Sequence, residues 1–189
     1  LVMNSPNLST PVARAKRINS CGCSKGPSVL RVVTQNLNGI RSAARKGWLD
    51  WIEAQGAHVV CVQEIKAGLT DLDERMTSIG KARGHFHFAE KKGYSGVGLY
   101  AVKQPRQVRI GFGSIEFDAE GRYLEADFGA YTVISLYVPS GSSGELRQQA
   151  KFQFMRQFKR HLLELKASGR EVILCGDWNV AHKEIDLKN

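Results

Sequence analysis

The sequence predicts an α/β fold of mixed β-sheets covered by helices, and three observations carry that reading. Apolar strand-like runs alternate with helix-periodic segments toward both ends of the chain, while a block of short β-rich runs with turn signals fills the middle. Three of the apolar runs also stop at carboxylates or amides: VLRVVTQNLNG at Asn36 and Asn38, HVVCVQE at Glu64, and EVILCGDWN at Asp177 and Asn179. Strand ends that share a crevice are where open α/β sheets place their chemistry.

Taken in order, residues 1–28 combine Asn, Ser, Pro, Gly and four basic residues with no apolar periodicity, and no acidic residue occurs before Asp50. That composition reads as a disordered basic leader. It lacks the continuous apolar core of a secretory signal, and Arg14, Lys16 and Arg17 leave organelle targeting open. The folded part is expected over 29–189. VLRVVTQ is the first strand; SAARKGWLDWIEAQG sets Trp48, Trp51 and Ile52 at i, i+3 and i+4 and stops at Gly56, which predicts one helix. HVVCVQE is the second strand and LTDLDERMTSIGKA a short helix. HFHFAE, VGLYAVK, QVRIGF, YLEADF and YTVISLYV follow as strands, with DAEGR a turn among them. A long helix with Leu146, Phe154, Phe158, Leu162 and Leu165 near one face then leads to the last strand, EVILCGD.

The 189 residues suit one domain with a sizeable core, by the prior of about 100–200 residues per domain. No run approaches the roughly 18 uncharged apolar residues of a membrane span. A formal charge of +9 favours a polyanionic partner, most simply nucleic acid, because Lys and Arg displace counterions from phosphates. Cys61 and Cys175 lie inside apolar strands and read as small core residues; Cys21 and Cys23, two ligands without a second pair, make a weak metal signal.

Asn36 and Asn38 lie two apart at a strand end, so an extended backbone would put both amides on one face, and Asp177 and Asn179 repeat the pattern. Any one of these alone reads better as an Asx turn or helix N-cap, and Glu64 alone as a solvated strand terminus. Together, oxygen ligands without a Cys or His cluster suit a hard cation such as Mg2+. His85 and His87 alternate with Phe86 and Phe88 and are expected on a half-exposed polar strand face. Lys66, Arg41, Lys91, Lys92 and Arg147 could line a phosphate-binding face, and GYSG and SGSSG read as flexible turns.

Six blocks, TQNLNGIRSA, VVCVQEIKA, KKGYSGVGLYAV, GRYLEADF, ISLYVPSG and ILCGDWNVAHKEIDL, occur in the order and spacing of the exonuclease III class of the endonuclease/exonuclease/phosphatase superfamily. From Val29 onward the chain resembles a bacterial-type exonuclease III or apurinic/apyrimidinic (AP) endonuclease. The resemblance implies a four-layer α/β sandwich of two mixed sheets flanked by helices. It also implies Mg2+ (or Mn2+) dependence, duplex DNA with abasic sites or 3′ ends as partner, a monomer, and a cytoplasmic location. Carried over by block, Glu64 resembles the metal-binding glutamate, Asn36 the amide that helps hold the metal site, and Asn38 a second metal-site position. Tyr137 matches the tyrosine whose hydroxyl approaches the scissile phosphate, Asp177 the aspartate that activates or positions water, and Asn179 the amide that stabilises the transition state. His182 resembles a structural histidine.

The same resemblance implies further strands, a pocket for a flipped abasic sugar and a terminal Asp and His pair beyond Asn189. The expectation is therefore a C-terminally incomplete domain with exposed sheet edges and impaired activity. Two rivals stand beside the DNA-repair reading: an inactive DNA-binding fragment, and a superfamily phosphatase acting on a non-DNA substrate.

Overall fold

A computed structural model of the chain describes residues 29–142, 144–181 and 183. The expected leader and His182 lie outside the described residues. The strands run β1 (Val32–Asn36), β2 (Val59–Gln63), β3 (Ser78–Ile79), β4 (Ala82–His87), β5 (Val97–Ala101), β6 (Gln107–Ile110), β7 (Tyr123–Asp127), β8 (Thr132–Tyr137) and β9 (Val172–Asp177). The helices are α1 (Ile40–Arg45), α2 (Trp48–Ala54), α3 (Glu74–Thr77), α4 (Ile115–Asp118) and α5 (Glu145–Ala167).

These strands form a five-stranded sheet in the order β1-β2-β5-β4-β3 and a four-stranded sheet in the order β6-β7-β8-β9. Each sheet is mixed. β1 and β2 are parallel, as are β8 and β9, while the remaining pairs are antiparallel. The parallel pairs matter most, because each puts two strand C-termini at the same end: Asn36 opposite Gln63 in one sheet, Tyr137 opposite Asp177 in the other.

Three apolar layers separate four structural ones, as the resemblance implied. On one outer side Ile40, Ala43, Trp48, Leu49 and Ile52 of α1 and α2 pack on Val33, Val60, Val62 and Tyr100. Between the sheets, Val59, Cys61, Val97 and Leu99 meet Leu124, Ala126, Val133 and Cys175. On the other outer side Phe154, Phe158 and Leu165 of α5 cover Tyr123, Ile134 and Leu136. All five residues of β2 are buried, since one set of alternate side chains faces the helices and the other faces the second sheet. Within the inter-sheet layer Gln63 Nε2 donates to Ser135 Oγ at 3.1 Å and to Thr34 Oγ1 at 3.2 Å. Those bonds satisfy an amide that would be costly to bury alone and tie the sheets together one residue before Glu64. Outside α5, Phe152, Met155 and Trp178 border a groove of about 410 Å3.

Three local expectations are corrected. The single helix expected over SAARKGWLDWIEAQG is two, broken by Gly47 at φ 81°; the apolar stripe continues across the break because both pieces pack on one sheet. LTDLDERMTSIGKA is a 3-10 turn at Leu69–Asp71, a four-residue helix and a short strand. Its aspartates start two separate short turns in place of one helix: Asp71 Oδ2 accepts from the Gly68 N–H at the head of the 3-10 turn, and Asp73 Oδ1 caps α3 by accepting from the Met76 N–H, both at 2.8 Å. His87 is not on a half-exposed face. It is buried, with Nδ1 2.8 Å from the Tyr123 carbonyl, because β4 lies over the second sheet there.

Candidate active site

Four strand ends deliver the candidate residues. Asn36 closes β1, Glu64 follows β2, Tyr137 closes β8 and Asp177 closes β9, so two parallel pairs facing across the sandwich bring together residues up to 141 positions apart. The Asn36 side-chain amide is the junction. Its Nδ2 donates to Glu64 Oε1 at 2.7 Å and to Asp177 Oδ2 at 2.8 Å, which uses both of its N–H bonds. The orientation of that amide is fixed from behind, because its Oδ1 accepts the Asn38 backbone N–H at 2.9 Å. Two carboxylates that would repel each other are thereby held side by side.

Asn38 and Asn179 do not share an extended face with their partners as expected. Each turns into the left-handed region, at φ 47° and 49°, and each backbone N–H bonds the side chain two residues back, Asn179 N to Asp177 Oδ1 at 2.9 Å. These are Asx turns, the local backbone role that Asn and Asp fill readily at the end of a strand. Glu64 and Lys66 also sit at positive φ, 53° and 49°. Such conformations cost non-glycine residues about 1–3 kcal/mol each and collect at functional sites. Among the described residues only Ser95 adds a fifth, and its carbonyl accepts the Lys66 N–H at 2.8 Å.

Electrostatics follow from this packing. Burial pushes the Glu64 carboxyl up, but hydrogen bonds from Asn36 and Lys66, the Lys66 charge and the Tyr137 hydroxyl together hold it below the ordinary carboxylate range. Tyr137 is pushed the other way, by burial first and then by the neighbouring Glu64 charge, so its phenol stays protonated beside that carboxylate. Asn179 Nδ2 donates to the Val138 carbonyl at 2.8 Å, which leaves its second N–H for another acceptor.

Whether these residues fit a cation is answered by Lys66. Its ammonium lies 2.7 Å from Glu64 Oε2 and 2.6 Å from Asn38 Oδ1, so those two oxygens already converge on one positive charge. Among the described residues no three His, Cys, Asp or Glu side chains form a closed cage. One or two carboxylates with amide oxygens, water and substrate phosphate is how Mg2+ is usually held. Asn36, by contrast, turns its nitrogen toward the carboxylates and serves here to orient them.

Two neighbours escaped the sequence reading. Lys151 of α5 donates to the Asn179 carbonyl at 2.6 Å. Arg122, 2% exposed, lies with its guanidinium 4.9 Å from the centre of the Tyr137 ring. The available signal for Arg122 was a charged residue set directly against the buried run YLEAD; for Lys151, one of several basic residues on α5, there was none.

The chain is 36% identical to an exodeoxyribonuclease of Bacillus subtilis (strain 168) over 163 residues, covering 85% of this chain and 62% of that protein. It is 34% identical to the DNA repair nuclease APEX1 of Danio rerio, over 85% of this chain and 52% of that protein. An AP endonuclease structure from Archaeoglobus fulgidus superposes with a TM-score of 0.72 at 27% identity, covering 85% of this chain and 61% of that one. The chain thus spans between about half and two thirds of the length of these proteins. Nucleases of this kind are in general metal-dependent. With the Endonuclease/Exonuclease/phosphatase family model matching residues 33–189, a span that contains every residue of the site, the chain belongs to that family.

Proposed function

We propose that this site hydrolyses the DNA backbone 5′ of abasic sites, and 3′ termini as a related reaction, with Mg2+ as cofactor. The observation that carries the reading is the Asn36 amide clamped between Glu64 and Asp177 at converging strand ends. Support for DNA as substrate comes from the +9 charge and from relatives whose names specify exodeoxyribonuclease and AP endonuclease.

Phosphodiester hydrolysis needs an aligned water, an acceptor for its proton, and hydrogen-bond donors or positive charge where oxygen charge grows. Asp177 is the acceptor: one oxygen is occupied by Asn36 and the other by the Asn179 backbone, so the carboxylate cannot rotate away from the water. Asn179 offers its free N–H, and Tyr137 its hydroxyl, to phosphoryl oxygens. Glu64 and Asn38 would hold the metal, with Asn36 fixing the Glu64 carboxylate beside it. When bound, Mg2+ supplies Lewis-acid charge to the phosphoryl group.

The test is incision of a duplex bearing one abasic analogue by the purified protein, in Mg2+ and in EDTA. The reading expects a cut 5′ of the analogue in Mg2+ alone. Salt-sensitive binding with no cut in either condition would favour a DNA-binding role instead.

A further inference from the structure

Arg122 has no part in the chemistry proposed above, yet its setting is too constrained for a surface cation. A side chain of this type is seldom so fully buried unless its charge is partnered. Every nitrogen of its guanidinium is committed. Nε pairs with Glu120, Nη2 donates to the Tyr94 hydroxyl at 2.7 Å, and Nη1 donates to the Tyr137 carbonyl at 3.3 Å. With three directions fixed, the plane cannot turn, and its cationic carbon stays 4.9 Å from the Tyr137 ring centroid. A desolvated cation over an aromatic face is attracted to it. Arg122 therefore grips Tyr137 at the backbone and at the ring, while the hydroxyl at the far end of that ring lies near the Glu64 carboxylate.

The other side of the grip is tied outward. The Tyr94 hydroxyl also accepts from Arg147 Nη1 at 3.0 Å, and Lys91 Nζ lies 5.5 Å from the Tyr94 ring centre. Among the described residues neither Arg147 nor Lys91 has a carboxylate in ion-pair range. The frame that holds Arg122 is thus itself anchored by cations at the rim.

We infer that Arg122 is a positioning residue for the Tyr137 hydroxyl: it fixes the ring so that the hydroxyl meets Glu64 and, on the reading proposed above, the scissile phosphodiester. Arg122 acts through Tyr137 alone and touches no reacting atom.

The test is a double-mutant cycle on incision of the abasic-analogue duplex in Mg2+, using Arg122→Met, Tyr137→Phe and the pair. Arg122→Met is expected to lower kcat by about 10- to 100-fold, the scale on which misplacing a reacting group is felt, with a smaller change in KM. In the Tyr137→Phe background the same substitution should change kcat by less than about twofold, the mark of two residues acting as one. Additive losses would overturn the inference. Arg122→Lys keeps the charge but loses the fork, so it should stay impaired; full rescue would make the effect electrostatic and also overturn the claim.

A second reading does not depend on turnover. In protein labelled with 13C-tyrosine, the Tyr137 ring resonances, identified by their loss in Tyr137→Phe, should move toward free-tyrosine values in both Arg122 variants. Unchanged resonances would refute positioning. If Tyr137→Phe leaves kcat intact, the tyrosine's place in the reaction fails, and the resonances alone decide whether Arg122 positions it.

Discussion

At the scale of single residues, the site depends on Asn36 as a donor to two carboxylates at once. Asn36→Ala should lower kcat for incision by about 10²-fold, the loss typical of one preorganised donor, as measured by single-turnover kinetics in Mg2+. A second residue-scale prediction concerns stability. His161 is buried, 2.9 Å from the Tyr123 hydroxyl, and burial first and the Arg109 charge next hold its pKa below the ordinary value, while Glu125, Glu164 and Asp118 pull weakly upward. A depressed histidine is neutral in the folded chain and takes up its proton more readily when unfolded. Its stabilising contribution is therefore complete above its ordinary pKa of 6.5 and is lost as pH falls from there through the folded value. Urea unfolding at pH 7.5 and 5.5 should show less stability at the lower pH, and His161→Gln should flatten that difference. The carboxylates and amides at the site were legible because they interrupt apolar runs at strand ends. Arg122 was not, since burial of a charge is decided by Glu120, Tyr94 and Tyr137, distant residues that no local pattern connects.

At the scale of elements, β9 sets Asp177 through the backbone of its neighbour. A Cβ at Gly176 would lie 2.0 Å from the Leu136 carbonyl oxygen of β8, a backbone atom that cannot move aside without shifting the strand. Gly176→Ala should destabilise the fold by about 2 kcal/mol or more, the scale of a strained core substitution. It should also displace Asp177, so activity should fall further than stability accounts for. Urea denaturation beside kinetics at a temperature where the variant is folded separates the two. Long, strongly patterned elements were legible: α5 by its apolar face at Phe154, Phe158 and Leu165, although Leu146 proves exposed, and β2 by its unbroken buried run. What failed was the break at Gly47, where a left-handed glycine splits one apolar stripe into two helices, and the segment after Gly68, where aspartates at 71 and 73 cap two separate short turns. In both places a side chain or backbone preference of one residue outweighed a periodicity spread over many.

At the scale of the molecule, the site exists because two mixed sheets each carry one parallel pair and stack with those pairs facing. Alternation predicted strands and their buried faces, but not which strands neighbour which; pairing β1 with β2 and β8 with β9 is settled by packing far apart in the chain. The four-layer arrangement was reached through resemblance of six sequence blocks, and the layers of apolar residues give its physical basis. Phe158 of α5, 2% exposed, stacks with Phe154 and meets Phe112 edge to face. Phe158→Ala should cost about 3–5 kcal/mol in urea unfolding.

We propose above all that Asp177, held by Asn36 beside Glu64, takes the proton of the attacking water. Incision of the abasic-analogue duplex in Mg2+, compared between the unmodified protein and Asp177→Ala under single-turnover conditions, tests it most directly. The rate of cleavage 5′ of the analogue should fall by at least about 10²-fold, with duplex binding retained. Cleavage at an undiminished rate in Asp177→Ala would contradict it.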